Sequence, residues 1–220
     1  MSYRLSASKL NLLNDCPRCF WLAMNKNVKR PSSPMSSIPI KMDSIIKNYF
    51  NVYRGNQLPP ILNGKINGRL AVGMPLTLRS DAGNGIVLWG RPDDYIELED
   101  SVIVVLDHKT ASKTPTVVHP SYRLQMDVYA YLLGQMGYKT TNKAFLAYFT
   151  PDDCDLHNGM KINCSIIEVN TDSFRVVDLM SKAQEILNGA TPESGENCEF
   201  CRWAQDMLEH DPLSFGRHKQ

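Results

Sequence analysis

An apolar segment that ends abruptly in charged residues constrains this chain more than any other stretch. Residues 102–106 are apolar and mostly β-branched, which is typical of a buried central strand, and residues 107–109 that follow are Asp-His-Lys. Residues 87–97 are rich in apolar and aromatic side chains, and residues 98–101 separate the two runs. This pattern predicts a β-hairpin within residues 90–110, with a turn at 98–101 and a buried second strand.

The charged end of this strand is a candidate site. Side chains alternate along a strand, so Asp107 and Lys109 point to the same face. A turn centred near Asp100 places Asp93 opposite Asp107, whereas a slip of one residue places Asp94 there. Paired carboxylates at a buried strand end are costly unless they bind a positive group, and Mg²⁺ or Mn²⁺ prefers such oxygen ligands. Spacing alone also allows an ordinary Asp–Lys pair at a solvated hairpin end, because D-x-K often occurs by chance.

Two pairs of cysteines at opposite ends of the chain indicate a second site. Both pairs have C-x-x-C spacing, which lets two sulfurs reach one metal, and they are Cys16 with Cys19 and Cys198 with Cys201. Two such pairs can close one tetrahedral four-sulfur site that joins the N- and C-terminal segments, and closing so long a loop stabilises a fold. One pair alone would equally suit buried cysteines that pack as small apolar residues. Zinc and a [4Fe–4S] cluster both accept four thiolates, so spacing does not separate them.

The rest of the chain has the alternating helix and strand patterns of an α/β protein. The pattern predicts a mixed sheet of about five strands flanked by helices, in a single domain over residues 1–220 with a core at about 40–190 and a cysteine-clamped cap from 1–30 and 190–220. A helix joins the strands at 102–108 and 143–150, so these two strands should run parallel. The expected helices cover residues 8–25, 41–53, 121–136 and 172–187, and the expected strands cover 70–78, 86–97, 102–108, 143–150 and 162–169, the first three as an antiparallel meander.

Charge and hydropathy narrow the choice of partners. With 24 basic and 23 acidic residues the net charge is +1, so any nucleic-acid surface must be a local patch rather than a global basic field. Candidate phosphate contacts are Lys113, Arg123 and the basic residues between 26 and 30. The sequence has no apolar run of membrane-spanning length and no signal-peptide pattern, so we expect a cytoplasmic protein without a membrane partner. In that reducing compartment, paired cysteines are better explained as metal ligands than as disulfides.

The order of the motifs resembles the core of the PD-(D/E)XK nuclease superfamily. These motifs are Gly90-Arg91-Pro92-Asp93, the strand that ends Asp107-His108-Lys109, and Gln125-Met126-Asp127-Val128-Tyr129. The N-terminal LSASKLNLLNDCPRCFWL is similar to the RecB-like exonuclease branch, where a serine-started helix runs into Cys-Pro. The CRISPR-associated spacer-acquisition nucleases and the AddB-type recombination nucleases share this layout, and the resemblance covers nearly the whole chain. It implies a restriction-endonuclease-like α/β core.

The resemblance also implies roles for individual residues. Asp93 and Asp107 would bind Mg²⁺ or Mn²⁺, and Lys109 would position the attacking water and offset charge on the scissile phosphate. Further metal ligands would be the backbone carbonyl of His108 and the side chain of Asp43. An aspartate near the start of a helix equally suits the helix dipole, so Asp43 has a structural alternative. The implied catalytic residues are Asp93, Asp107, Lys109, Gln125 and Tyr129, the last two as a pair that steadies the substrate or a catalytic side chain.

The activity implied by the resemblance is hydrolysis of phosphodiester bonds by an exonuclease that acts on single-stranded DNA or DNA ends. DNA would be the partner, together with proteins of DNA processing or CRISPR adaptation. The resemblance favours a [4Fe–4S] cluster held by Cys16, Cys19, Cys198 and Cys201. Iron–sulfur members usually carry one cysteine near the start and three near the end, whereas this chain carries two and two, so zinc remains the alternative.

Two other functions are compatible with the sequence. One is a DNA-binding or complex-assembly subunit with a structural cysteine site and little or no cleavage, which the near-neutral charge permits. Asp93, Asp107 and Lys109 argue against it, because a purely binding module has no need of them. The other is a zinc-ribbon-like interaction protein in which D-x-K is coincidental.

Overall fold

A computed structural model describes residues 2–32, 34, 36–81, 83, 85–155 and 157–210. The described residues form two compact units, one within 1–7 and 34–178 and the other within 8–33 and 179–220. The first unit contains the strands, and the second contains the four cysteines of the C-x-x-C pairs. The prediction of a single domain stays a prediction.

The described residues contain strands and helices in alternation, which confirms the predicted α/β class. The strands are β1 Tyr3–Leu5, β2 Arg69–Leu70, β3 Leu78–Asp81, β4 Ile86–Gly90, β5 Asp94–Glu97, β6 Ile103–Thr110, β7 Lys143–Pro151 and β8 Ile162–Asn170. The helices are α1 Ala7–Asp15, α2 Pro17–Asn25, α3 Ser37–Tyr53, α4 Pro120–Gln135, α5 Ser173–Asn188 and α6 Glu199–His210. Short 3₁₀ turns cover Pro60–Leu62 and Glu99–Ser101.

A mixed five-stranded sheet forms the centre of the first unit, as predicted. Its order is β2-β5-β6-β7-β8, with β6 parallel to β7 and the other pairs antiparallel. Helix α4 connects β6 to β7, which confirms the predicted crossover and its parallel pairing. Strand β6 is buried along residues 103–108, as its apolar run predicted.

The predicted three-stranded meander is wrong, because two of its strands are each divided between two sheets. The expected strand at 70–78 is β2 and β3, and the expected strand at 86–97 is β4 and β5. Strand β4 pairs with both β1 and β3 in a separate sheet of order β1-β4-β3. Pro75 and Pro92 lie at the two breaks, and a proline has no N–H to donate to a sheet ladder. The chain therefore leaves one sheet and enters the other at residues 91–93.

The helices begin and end close to their predicted bounds, with three differences. The expected first helix is divided into α1 and α2, because Pro17 takes the first position of α2 and Cys16 caps it. Helix α3 begins at Ser37, earlier than the pattern predicted, so Asp43 lies beyond its first turn. Helix α6 was not predicted as a separate element. Among the described helices, none has the length and apolar character needed to cross a membrane.

Two apolar layers cover the five-stranded sheet. Ile46 and Phe50 of α3 pack in one cluster with Val104 and Leu106 of β6 and with Phe149 of β7. Helix α4 lies against β6 and β7, and it buries Leu124, Val128 and Leu132 completely or almost so. At about 25 cal/mol per Å² of buried apolar surface, such layers supply most of the folding free energy. They bury β6 from both faces, and this packing positions the charged residues at its end.

Candidate functional site

The hairpin register decides which carboxylate lies beside Asp107. Strand β5 pairs with β6 so that Glu97 lies opposite Ile103 and Asp94 opposite Leu106. The chain just before β5 therefore brings Asp93 level with Asp107, and the Asp93 Oδ2 accepts a 2.9 Å hydrogen bond from the backbone N–H of His108. This confirms the register expected for a turn centred at residue 100.

Asp94 is excluded from the site by its own ion pair. Its carboxylate is buried and accepts two hydrogen bonds from the Arg54 guanidinium, at 2.7 and 2.9 Å. Such a bidentate pair satisfies both oxygens. Asp94 therefore fastens the end of α3 to β5, and Asp93 is the carboxylate available next to Asp107.

Asp107 carries a buried charge with one direct counter-ion. The residue is 2% exposed, and the Lys109 ammonium contacts its Oδ2. Burial raises the pKa of Asp107 to about 6, the Lys109 charge opposes this rise, and the nearby Asp93 adds to it. The lysine therefore compensates the buried carboxylate only in part. A carboxylate in this state attracts a further positive charge.

Gln125 and Tyr129 connect this centre to helix α4. The Lys109 ammonium donates to Gln125 Oε1 at 2.9 Å, and Gln125 Nε2 donates to the Tyr129 hydroxyl at 2.9 Å and towards Asp107 Oδ1 at 3.4 Å. The Tyr129 hydroxyl in turn donates to the Arg91 carbonyl at 3.2 Å. An ammonium only donates, so Lys109 fixes which end of the Gln125 amide faces it. Burial raises the pKa of Tyr129 to about 12, which keeps its hydroxyl protonated as a donor.

Gly90 is the residue that makes room for the Tyr129 ring. A Cβ at position 90 would lie 2.4 Å from Tyr129 Cε1 and 2.7 Å from Cδ1. The ring therefore occupies the space that any side chain at position 90 would need. This gives a physical reason for the glycine in the motif Gly90-Arg91-Pro92-Asp93, which the sequence alone did not supply.

Helix α3 brings a second lysine to the carboxylates. Lys47 Nζ lies 2.8 Å from Asp43 Oδ1 and 3.2 Å from Asp93 Oδ1. Burial would lower the pKa of Lys47, but its hydrogen bond to Asp43 and the charge of Asp93 outweigh burial and raise it. Sequence reasoning missed Lys47, although its i,i+4 spacing from Asp43 on an amphipathic helix was a usable signal. Asp43 thus lies near the site, about half exposed, through Lys47.

Two buried polar side chains beside Lys109 were also missed. The Tyr148 hydroxyl and both ring nitrogens of His108 are buried and have no hydrogen-bond partner among the described residues. Tyr148 lies in register with Lys109 on the neighbouring strand β7, and the Lys109 ammonium is 4.4 Å from the Tyr122 ring centroid. The His108 ring packs between Phe50 and Phe149, and burial lowers its pKa, so it is neutral. The predicted role of the His108 carbonyl stays a prediction.

The carboxylate centre has the donor chemistry of a Mg²⁺ or Mn²⁺ site. Asp93, Asp107 and Asp43 supply hard oxygen donors, and the ammonium groups of Lys47 and Lys109 offset two of their three negative charges. A divalent cation bound to these carboxylates would supply the positive charge that the lysine ammonium groups supply now.

The second unit contains the four cysteines as one cluster, as predicted. The sulfurs of Cys16, Cys19, Cys198 and Cys201 all lie within 4.8 Å of one another. The separations are 3.7 Å for Cys16–Cys201 and 3.6 Å for both Cys19–Cys198 and Cys19–Cys201. Four thiolates suit either zinc or an iron–sulfur cluster, and one tetrahedral ion at 2.3 Å from each sulfur would hold them about 3.8 Å apart.

Backbone donors and one arginine contact the sulfurs of this cysteine centre. Burial would raise the pKa of Cys16, but the N–H groups of Gly195 and Cys19 donate to its sulfur and lower that pKa to about 6. A Cβ at Gly195 would lie 2.4 Å from the Asp15 carbonyl oxygen, so only glycine allows this approach. Arg30 donates to Cys198 Sγ at 3.2 Å and pairs with Asp15.

The basic residues predicted to contact phosphates lie in different settings. Lys113 and Arg123 are exposed in the first unit, and Lys26 and Lys29 are exposed in the second. Arg30 instead belongs to the cysteine centre, through its contacts with Cys198 and Asp15.

Comparison with known proteins identifies the family. The sequence profile of the PD-(D/E)XK nuclease superfamily matches residues 58–205, which is more than half of the chain. The chain belongs to the PD-(D/E)XK nuclease superfamily. It is therefore a nuclease of a group that hydrolyses nucleic acid, acts on DNA and uses divalent metals. No match was found among curated proteins.

The chain is also similar to solved structures of two proteins, one of which is an exonuclease. SSO0001 is 17% identical, with 93% of this chain and 85% of that chain covered and a TM-score of 0.49. The alkaline exonuclease LHK-Exo from Laribacter hongkongensis is 12% identical, with 96% and 94% covered and a TM-score of 0.39. LHK-Exo in complex with dAMP is also 12% identical, with 94% and 93% covered and a TM-score of 0.39. All three TM-scores lie below 0.5, and a likeness at this level does not establish a shared function.

Proposed function

We propose that this protein is a divalent-metal-dependent DNA exonuclease of the RecB-like branch that acts on single strands or DNA ends. The observation that carries the proposal is the convergence of Asp93, Asp107 and Lys109, joined through Gln125 to helix α4. In a nuclease of this superfamily, two adjacent carboxylates and a partly buried lysine are the groups that phosphodiester hydrolysis needs. Protein partners in DNA processing or CRISPR adaptation belong to the proposal through the sequence resemblance alone.

Each residue of the carboxylate centre has its own role in the proposed hydrolysis. Asp93 and Asp107 would hold Mg²⁺ or Mn²⁺, with Asp43 as a further oxygen donor, and the bound ion supplies an activated water and offsets phosphate charge. Lys109 holds its ammonium towards the phosphate and the attacking water, since Gln125 Oε1 fixes its direction. Tyr129 keeps the Gln125 amide in place through its own bond to the Arg91 carbonyl. The buried surroundings of Asp107 exclude bulk water and strengthen each of these interactions.

The test is cleavage of labelled DNA by the wild type and by Lys109→Gln. Substrates carry a fluorophore at the 5′ or the 3′ end, as single strands, blunt duplexes and closed circles, with Mg²⁺, Mn²⁺ or chelator. The proposal predicts metal-dependent shortening from an end of linear DNA, intact circles, and no product with Lys109→Gln. Cleavage of closed circles would contradict exonuclease action, and products that persist in chelator would contradict metal dependence.

A second candidate function is a DNA-binding subunit that does not cleave. The observation that favours it is Lys47, which bridges Asp43 and Asp93 and leaves the carboxylates with ammonium partners. The variant Lys47→Ala distinguishes the nuclease from the DNA-binding subunit that does not cleave. In a nuclease this change removes a competing cation, so Mg²⁺ titration should show equal or tighter binding and retained cleavage. In a structural ion-pair cluster it should lower thermal stability in Mg²⁺ and leave cleavage absent throughout.

For the cysteine centre we propose a single zinc ion, with a [4Fe–4S] cluster as the alternative that the resemblance favours. Sulfur separations of 3.6 and 3.7 Å support one tetrahedral ion, because four irons between the sulfurs require a wider set. Metal analysis and an absorption spectrum of anaerobically purified protein decide between them. Colourless protein with one zinc per chain supports the proposal, and a brown protein with four irons per chain overturns it.

A further inference from the structure

A pocket of about 710 Å³ lies beside the cysteine centre, within the second unit. Residues of helix α2, of the segment that follows it and of helix α6 line the pocket. None of the catalytic residues Asp93, Asp107 and Lys109 belongs to it, so the pocket requires an explanation of its own.

The aromatic side of this pocket comes from helix α6. No residue of α6 is buried, and its Phe200 and Trp203 are 39% and 57% exposed. The Arg30 guanidinium lies 4.6 Å from the Phe200 ring centroid, so one face of that ring already stacks on a cation. Trp203 lies one helical turn further on and offers a large exposed π-surface. An exposed tryptophan in a concave site is typical of ligand binding rather than of folding.

Charge is segregated towards the same pocket. Its charged lining residues are four cations and one carboxylate, namely Arg18, Lys29, Arg30, Arg202 and Glu196. The three acidic residues of α6, Glu199, Asp206 and Glu209, all lie outside the lining, whereas Arg202 lies inside it. A chain of net charge +1 thus concentrates positive charge at one aromatic pocket. The complementary ligand is an anion that carries flat rings.

The cations of the pocket are not equivalent. Arg30 is engaged by Asp15 and Cys198, and Arg18 forms a 3.3 Å pair with Glu193. Lys29 and Arg202 are exposed and line the pocket, Lys29 from the segment that follows α2 and Arg202 from α6. Lys29 and Arg202 are therefore the cations placed to meet a polyanion.

We propose that this pocket is a binding site for single-stranded DNA, with a base stacked on Trp203 and phosphates at Lys29 and Arg202. A nucleic-acid strand is the polyanion that also offers aromatic faces, and proteins hold single strands by this combination of stacking and cations. Duplex DNA keeps its bases stacked internally, so it offers only phosphates to such a pocket. The inference rests on the proposed nuclease function for the choice of DNA, and it adds a binding site outside the catalytic centre.

The test measures binding without cleavage. Full-length protein is titrated into a fluorescein-labelled oligothymidylate in chelator that does not strip the cysteine centre, with metal content checked before and after. Trp203→Ala should weaken binding about 10-fold, the usual cost of losing one stacked base. Lys29→Gln and Arg202→Gln should each lower the salt dependence of log K by about 0.7. Intrinsic tryptophan quenching by the oligonucleotide should disappear in Trp203→Phe.

Matched controls lie on helix α5. Phe174 is 84% exposed and Lys182 is exposed, and neither lines the pocket. Phe174→Ala and Lys182→Gln should therefore leave the affinity and salt dependence unchanged. Trp203→Ala with wild-type affinity and unchanged quenching would overturn the proposal, as would equal losses in the α5 variants. If Trp203→Ala weakened the affinity for single-stranded and duplex DNA equally, the proposed stacking of a base on Trp203 would also be overturned.

Kinetics distinguish this proposal from the proposed function. Trp203→Ala should raise KM and leave kcat at saturating DNA, because it touches no catalytic group. Lys109→Gln should lower kcat about 10³-fold and leave the affinity for the oligonucleotide intact. A wild type that binds through Trp203 but never cleaves would disprove the nuclease and retain this site. A wild type that cleaves DNA, with a KM that Trp203→Ala does not change, would retain the nuclease function and disprove this binding site.

Discussion

The proposed catalytic centre and the cysteine centre are built in opposite ways. Asp107 and Lys109 lie on a strand buried by two apolar layers, and a hydrogen-bonded chain through Gln125 and Tyr129 sets their positions. The cysteines lie at helix ends and in a connecting segment, and helix α6 beside them buries no side chain. In the first case the fold creates the site. In the second case a metal held by the four cysteines would stabilise much of the local fold.

This contrast predicts that loss of the cysteine site has the largest effect on stability. Cys198→Ser should release the metal and unfold residues 8–25 and 199–210, because binding of a structural metal contributes on the order of 10 kcal/mol. The sheet should remain folded. Amide hydrogen exchange should show protection lost in α2 and α6 and kept in β6. Cys154→Ser, at an exposed cysteine outside the cluster, is the control and should change neither. Equal loss of protection in β6 would mean that the sheet also depends on the metal.

The next largest effect is expected on catalysis rather than on folding. Lys109→Gln keeps a donor for Asp107 and Gln125 but removes the positive charge, and it should lower kcat about 10³-fold. Because the change leaves a buried carboxylate without its counter-ion, thermal unfolding should be compared in Mg²⁺, where the loss should be smallest. Lys113→Gln, at an exposed lysine, should keep wild-type kcat. Retained cleavage in Lys109→Gln would remove the lysine from the mechanism.

A methyl group at Gly90 should disturb the catalytic centre without touching any charged residue. Gly90→Ala places a carbon where the Tyr129 ring lies, so it should cost about 2 kcal/mol of unfolding free energy and lower kcat with it. Gly134→Ala in α4 is a control, because its Cβ would meet only Thr140 Cγ2 at 4.0 Å. That variant should be neutral or more stable by chemical denaturation. If both alanines behave alike, the ring at position 129 is not confined as described.

The smallest effect is expected from the last link of the hydrogen-bonded chain. Tyr129→Phe keeps the ring but removes the bonds to Arg91 and Gln125, so it should cost about 1 kcal/mol of stability and about fivefold in kcat. Steady-state kinetics at saturating Mg²⁺ measures the change. Tyr131 is only partly buried and lies two residues further along the helix, so Tyr131→Phe should have no effect on kcat. An equal fall in both variants would argue for a general helix defect.

The sequence predicted the parts of the fold that depend on local pattern. The apolar run at 102–106 indicated β6, and the strand–helix–strand order indicated the parallel pairing of β6 with β7. It could not indicate that residues 86–97 pass between two sheets, because the same apolar alternation suits one long strand or two short ones. Pro92 was the available local signal, since it cannot donate to a ladder.

The candidate site was predictable as a set of residue types, and less so as a network. D-x-K spacing placed Asp107 and Lys109 on one face, but Lys47 and Tyr148 come from elements far away in the chain. Asp127 is fully buried beside the predicted Gln125 and Tyr129, yet it serves a different purpose. It accepts from the Asp172 N–H at 2.8 Å and from Arg175, and so joins α4 to the start of α5. Nothing in a Q-x-x-x-Y motif reveals such a partner.

The sequence by itself determined which chemical groups the protein has and how those within one element are spaced. Helical and strand periodicity are local properties. The motifs C-x-x-C, D-x-K and Q-x-x-x-Y could therefore be recognised in the sequence without knowledge of the fold. Only the tertiary structure decided that Asp94 belongs to Arg54, that the Tyr129 ring needs Gly90, and that Arg30 lies at Cys198. These pairings depend on register and on close packing between distant elements, and neither is written in local spacing.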